Sequence, residues 1–154
     1  MELLQDNPTD RIALPVQSSL NSLENQVAIS AMKKATPHIL LVDDDVTIRR
    51  CVRQYLELQG YDCTEADNGK IALHELAKRS FSLIITDNQM PTLDGISFLE
   101  TYYHNQDNGR TPVIMVTGNL TDSLRDRAKQ IGITKVFEKP CSFKDLENAI
   151  AMVI

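Results

Sequence analysis

Three short, unbroken apolar runs constrain this chain more than anything else in it: Ile39-Leu40-Leu41-Val42, Leu83-Ile84-Ile85 and Val113-Ile114-Met115-Val116. A strand with no polar face is a strand buried on both sides. Between the runs the apolar spacing changes from strand to helix period. Ile48, Val52, Tyr55 and Leu56 share one helix face that stops at Gly60. Tyr61 to Ala66 alternates as a second strand, closed by the Asp67-Asn68-Gly69 turn, and a second helix carries Ile71, Ala72, Leu73 and Leu76. Ile96 to Asn105 reads as a third helix, broken by Asp107-Asn108-Gly109. Leu124, Ala128 and Ile131 mark a fourth, ended by Gly132. Lys135 to Glu138 is a short fifth strand closed by Lys139-Pro140, and Ser142 caps a last helix with Phe143, Leu146, Ala149 and Ile150 inward. Strand and helix alternate five times, which requires a parallel α/β sheet with helices on both faces.

Residues 1–35 read differently. They are rich in Gln, Asn and Ser and are broken by Pro8 and Pro15. Val16, Leu20, Leu23 and Val27 mark one helix face or a short heptad seam, and Asp10 to Pro15 is a weak strand. Two heptads are marginal as an isolated helix in water. The segment is therefore expected to be an extension or linker, partly helical or disordered, ahead of a domain spanning 36–154. A formal charge of −5 and the absence of a basic run argue against direct nucleic-acid binding. No apolar stretch is long enough to span a membrane. Cys51, Cys63 and Cys141 are widely spaced and odd in number, so reduced thiols in a cytoplasmic protein are expected.

The polar groups sit where the apolar runs end. Strand one ends in Asp43-Asp44-Asp45, strand three in Asp87, strand four in Thr117, and strand five in Lys139. In an open α/β sheet, ligands bind at the carboxyl ends of the strands. Two like charges about 4 Å apart repel by roughly 4 kcal/mol at an intermediate dielectric, so clustered carboxylates call for a cation or a proton. All-oxygen donors on a wet edge suit Mg²⁺. An Asp carboxylate is also a nucleophile toward phosphorus, and a cation and a lysine offset the charge on the phosphoryl oxygens.

In these motifs the chain from about His38 to Ile154 resembles a response-regulator receiver domain of two-component signalling. The matching text is Ile39 to Asp45, Leu83 to Asp87 with Met90-Pro91 and Asp94-Gly95, Val113 to Gly118, and Lys139-Pro140. The resemblance implies a doubly wound, flavodoxin-like (βα)5 sheet of strand order 2-1-3-4-5. It implies Asp87 as phosphoacceptor and Asp44 as a direct Mg²⁺ ligand. Asp43 would act mainly through water, and the Gln89 carbonyl would complete the metal shell. Thr117 and Lys139 would hold the phosphoryl group, and the Lys139–Pro140 peptide would be cis. The implied partners are a histidine kinase or histidine phosphotransfer protein and a downstream effector. The effector would meet the face made by the fourth helix, fifth strand and fifth helix. A monomer or weak dimer is expected, with no output domain after Ile154. The setting is a single-domain regulator or the receiver end of a hybrid kinase.

Some positions depart from the family pattern. Val136 stands where many receivers carry the aromatic half of a Thr–aromatic switch, with Phe137 beside it. Gln89 and Asn119 occupy the positions that tune phosphoryl lifetime. A rival reading is a haloacid-dehalogenase-like phosphatase using Asp43 and Asp45, since Asp43 to Thr47 fits that family's first motif. It leaves Asp87 and the Met90-Pro91 loop without a task. A pseudo-receiver that only binds a partner leaves the full acid, Thr and Lys set unexplained.

Overall fold

The computed structural model describes residues 36–105 and 110–154, which belong to one compact unit, Thr36–Ile154. The helix face at Val16–Val27, the weak strand at 10–15 and the Asp107-Asn108-Gly109 break lie outside the described residues. Strands β1 (His38–Val42), β2 (Asp62–Ala66), β3 (Leu83–Thr86), β4 (Val113–Thr117) and β5 (Lys135–Glu138) alternate with helices. These are α1 (Val46–Leu58), α2 (Gly69–Lys78), α3 (Gly95–His104), α4 (Asp122–Gln130) and α5 (Phe143–Ala151). The sheet is parallel, in the order β2-β1-β3-β4-β5. This is the doubly wound architecture that the alternation and the resemblance implied.

The period-two alternation of the strands builds two cores. Ile39, Leu41, Leu83, Ile85 and Ile114 face one side, where Leu56 of α1 and Leu146, Ala149 and Ile150 of α5 cover them. Leu40, Val42, Ile84, Val113 and Met115 face the other side, under Ala72 of α2, Phe98 and Leu99 of α3, and Leu124 and Ala128 of α4. Local caps start the helices where the sequence placed them. Asp45 accepts from the Thr47 and Ile48 amides, Asn68 from Lys70 and Ile71, and Ser142 from Asp145. Each cap satisfies amides that the first helical turn leaves without partners.

Three side chains assigned to the core lie at its rim. Phe143 is 44% exposed, Ile48 39% and Ile71 40%. Phe143 instead stacks on Tyr55 of α1, with ring centroids 4.5 Å apart, and the Tyr55 hydroxyl donates to Glu147 at 2.9 Å. Both rings thus bridge α1 and α5 above a core already filled by Leu56 and Ile150. Boundaries move by one residue: α3 begins at Gly95 and β2 at Asp62.

Candidate functional site

Register decides which polar ends meet. Val42 of β1 pairs with Thr86 of β3, so Asp43 and Asp87 are each the next residue on neighbouring strands. Adjacent strands lie about 4.8 Å apart, which sets the two carboxylates side by side. Thr117 pairs with Glu138, so Lys139 leaves β5 just past that pair, and its amide donates to the Thr117 carbonyl at 2.8 Å. β5 is two strand spacings from β3, about 10 Å, and the long lysine stem reaches back across it. Its Nζ donates to Asp87 Oδ2 at 2.7 Å and to Asp43 Oδ2 at 2.9 Å.

The three consecutive aspartates divide their work. Asp45 is the α1 cap, and its amide hydrogen bonds with Ile48 and Thr47 hold its carboxyl below the usual range. Asp43 is buried and accepts from the Asp45 amide at 2.8 Å as well as from Lys139. Burial pushes its carboxyl up, outweighing the pull of Lys139 and the Asp45 amide. Asp44 is exposed. One oxygen from each of Asp43, Asp44 and Asp87 falls within 4.8 Å of the others. Lys139 lies inside this field: burial would lower its pKa, but the hydrogen bonds to Asp87 and Asp43 win and raise it, so the ammonium stays charged.

Asp87 is buried, and its remaining oxygen accepts from the Gln89 amide at 2.9 Å. Gln89 is thereby held at the site through its backbone. The loop that follows is stitched onto α3. Asn88 accepts from the Gly95 amide through its carbonyl at 3.0 Å and from the Ile96 amide through its side chain at 2.9 Å. A Cβ on Gly95 would run into the Asp87 carbonyl oxygen and come within 2.9 Å of Asn88 Cα. Thr92 adopts φ 71° inside a turn closed by the Leu93 amide on the Pro91 carbonyl at 2.8 Å, a strained three-residue turn beside the site. The Lys139–Pro140 peptide is cis, as the resemblance implied.

Thr117 is fully buried at the end of β4. Its hydroxyl lies 3.5 Å from the Asn119 amide, and among the described residues it does not bond Asp87 or Lys139. Val136 packs against the core cluster that includes Leu124 and Ala128 of α4, while Phe137 packs against the cluster on the α1–α5 side. Strand alternation therefore keeps the neighbouring aromatic off the α4 face. Two features were not singled out from the sequence. One is Arg49, whose guanidinium donates to the Asp43 carbonyl and, at 3.1 Å, to Glu65. Only its helical phase, next to Ile48, separates it from Arg50. The other is a cavity of about 500 Å³ between α1 and α5, rimmed by Ile48, Cys141 and Phe143 and reaching Asp43, Asp87 and Lys139.

Asp45 is not in the acidic cluster, and its carboxylate is committed to the helix end. The phosphatase reading, which needs Asp43 and Asp45 together, is not supported. No described helix is long and apolar enough to cross a membrane. Residues 39–151 match the response regulator receiver domain family. Chemotaxis protein CheY-3 of Vibrio cholerae is 34% identical over 113 residues, 73% of this chain and 87% of that protein. Sensor protein EvgS of Escherichia coli is 30% identical over 152 residues, covering 94% of this chain but 12% of EvgS. Transcriptional regulatory protein ResD of Bacillus subtilis is 34% identical over 108 residues, 70% of this chain and 44% of ResD. The chain thus spans less than half the length of EvgS or ResD. The crystal structure of Vibrio cholerae chemotaxis protein CheY4 superposes with a TM-score of 0.73 at 29% identity, covering 78% of this chain and 100% of that one. With the five-stranded order, the paired acids at the β1 and β3 ends and this family match together, the chain belongs to the response regulator receiver domains of two-component signalling.

Proposed function

We propose that the chain is a phosphorylation-controlled switch in which Asp87 accepts a phosphoryl group from a histidine kinase or histidine phosphotransfer protein. The observation that carries this reading is the Asp43–Lys139–Asp87 arrangement at the ends of β1, β5 and β3. A buried carboxylate with one oxygen held by the Gln89 amide presents the other toward the edge, once Lys139 lets go of it. That oxygen attacks phosphorus. The phosphorus–nitrogen bond of the donor phosphohistidine breaks, its electron pair stays on the imidazole, and an acyl phosphate forms on Asp87. The Lys139 ammonium moves onto a phosphoryl oxygen and the Thr117 hydroxyl donates to another. Asp43, Asp44, Asp87 and the Gln89 carbonyl would form an all-oxygen set suited to Mg²⁺, a reading supported by the convergence of the three carboxylates. When bound, Mg²⁺ offsets the charge of those carboxylates and of the phosphoryl group. The chain's own catalysis is confined to gaining and losing this phosphoryl group.

The signal leaves through the α4–β5–α5 face. Phosphorylation shifts the population because the phosphoryl group binds one arrangement of Thr117 and Lys139 better than the other. Val136 leaves that face without the aromatic half of the switch, so the readout rests on Thr117 and the loop to α4. The match to EvgS extends over 94% of this chain and so takes in part of residues 1–35. This favours a receiver from a larger sensor protein over a stand-alone regulator. Incubation with Mg²⁺ and acetyl phosphate, read by intact mass, is expected to add one phosphoryl group to the parent and none to Asp87→Asn. Stoichiometric phosphorylation of a folded Asp87→Asn variant would remove Asp87 from the role.

A further inference from the structure

Among the described residues, no hydrogen bond fixes the Asp44 side chain, although its carboxylate is one of the three that converge. Its direction is set by the peptide that joins it to Asp43. Asp43 itself is held on either side of its Cα, and the carbonyl of the joining peptide is one of the two groups held. The Asp43 amide donates to the Ala66 carbonyl at 3.2 Å, and the Asp43 carbonyl accepts from Arg49 Nη1. Arg49 is itself held: its side chain is 13% exposed, and its Nε donates to Glu65 Oε1 at 3.1 Å. Glu65 in turn accepts from Arg53 at 2.8 Å through its other oxygen, and Arg53 is paired with Glu57 at 2.7 Å. The chain of contacts runs from the outer face of α1, through β2, to the backbone between the two acids.

We propose that Arg49, oriented by Glu65, is a positioning residue that fixes the Asp43–Asp44 peptide so that both carboxylates face one divalent cation. This rests on the functional reading above, in which the acidic cluster takes Mg²⁺. An arginine suits the task because its planar fork reaches a carbonyl and a carboxylate at once, which a lysine ammonium does not do in a fixed geometry. Partners outside the ligand set commonly tune metal affinity in this way.

The sign of the effect separates positioning from charge. Arg49 is a cation beside the acidic cluster, so by Coulomb's law alone its removal would make the cluster bind Mg²⁺ more tightly. Positioning requires the opposite. The chain has no tryptophan, so Mg²⁺ affinity is measured on the full chain by isothermal titration calorimetry. Arg49→Met keeps the apolar stem and is expected to weaken the Mg²⁺ dissociation constant roughly tenfold or more. Arg49→Lys, which keeps the charge but not the fork, is expected to weaken it as well. The acetyl phosphate reaction at saturating Mg²⁺ is expected to stay within about threefold of the parent, because the loss lies in binding. Glu65→Gln leaves Arg49 in place but loosens its orientation, and is expected to shift affinity in the same direction by less. Unchanged or tighter Mg²⁺ binding by Arg49→Met overturns the proposal. If that variant does not fold, an unchanged dissociation constant for Glu65→Gln does so. A parent chain that binds no Mg²⁺ would instead sink the functional reading along with it.

Discussion

Replacing Lys139 with Met removes an ammonium that the acidic cluster holds while keeping most of its stem. Nζ lies 2.7 Å from Asp87 Oδ2 and 2.9 Å from Asp43 Oδ2. Removing one partner of a buried ion pair typically destabilises by about 3–5 kcal/mol. The Lys139 side chain is 25% exposed, so water screens part of the interaction. The expected loss is then about 2–3 kcal/mol. The repulsion left behind gives a comparable figure. The carboxylate oxygens lie within 4.8 Å of one another. At an effective dielectric near 20, a pair at that separation repels by about 3.5 kcal/mol before water enters the emptied space. In a domain of this size such a loss lowers the melting temperature on the order of 10 °C. Urea unfolding of parent and variant, each with and without MgCl₂, measures it. A divalent cation must compete with Lys139 in the parent but not in the variant. Added Mg²⁺ is therefore expected to stabilise Lys139→Met more than the parent and to narrow the gap between them. A gap below about 0.5 kcal/mol that Mg²⁺ leaves unchanged would refute the reasoning, because it would place Lys139 outside the field of the acids.

Gly95→Ala puts a methyl group against the backbone of Asp87 and Asn88, which has no flexible end to yield. It is expected to destabilise by about 1–3 kcal/mol and to slow phosphorylation of the folded protein at saturating Mg²⁺, since the acceptor loop must shift. Phe98 is fully buried between α3 and the sheet, so Phe98→Ala is expected to lower stability by about 3–5 kcal/mol with no change in the urea slope. The hydrogen bond from Arg53, joined by one from Arg49, holds the Glu65 carboxyl below its ordinary value of 4.5 against the effect of burial. A depressed carboxyl contributes stability that is present above its unfolded pKa and is lost as pH falls through the folded one. The stability difference between parent and Glu65→Gln is thus expected to be flat at neutral pH and to shrink below about pH 4.5 in a urea series, and a difference independent of pH would contradict the ion pair.

The strands, the helices and the Ser142 cap were legible because each rests on spacing of a few residues. Ile39 to Val42 and Leu83 to Ile85 read as doubly buried strands from their short apolar runs, and Ser142 sits one residue before the helix it caps. The acids and the lysine were legible as strand ends, and the resemblance told Asp43 from Asp44, but the residues themselves did not say which of Asp43-Asp44-Asp45 caps α1. Composition treats the three as equals, whereas their directions follow from the turn out of β1. That turn aims Asp45 at the α1 amides and Asp43 at a lysine 96 residues away.

The succession of strands and helices along the chain and the polarity of the strand ends are written locally, in side chains that bury or hydrate according to their own chemistry. What the folded molecule alone decided is partnership across distance. Val42 stands opposite Thr86, so two carboxylates share one ammonium. Arg49 turns inward while Arg50 does not. Phe143 leaves the core to stack on Tyr55, and Val136 rather than Phe137 faces α4. Each depends on register, helix phase and the space left by neighbours, and these come from packing the whole sheet rather than from any single stretch of chain.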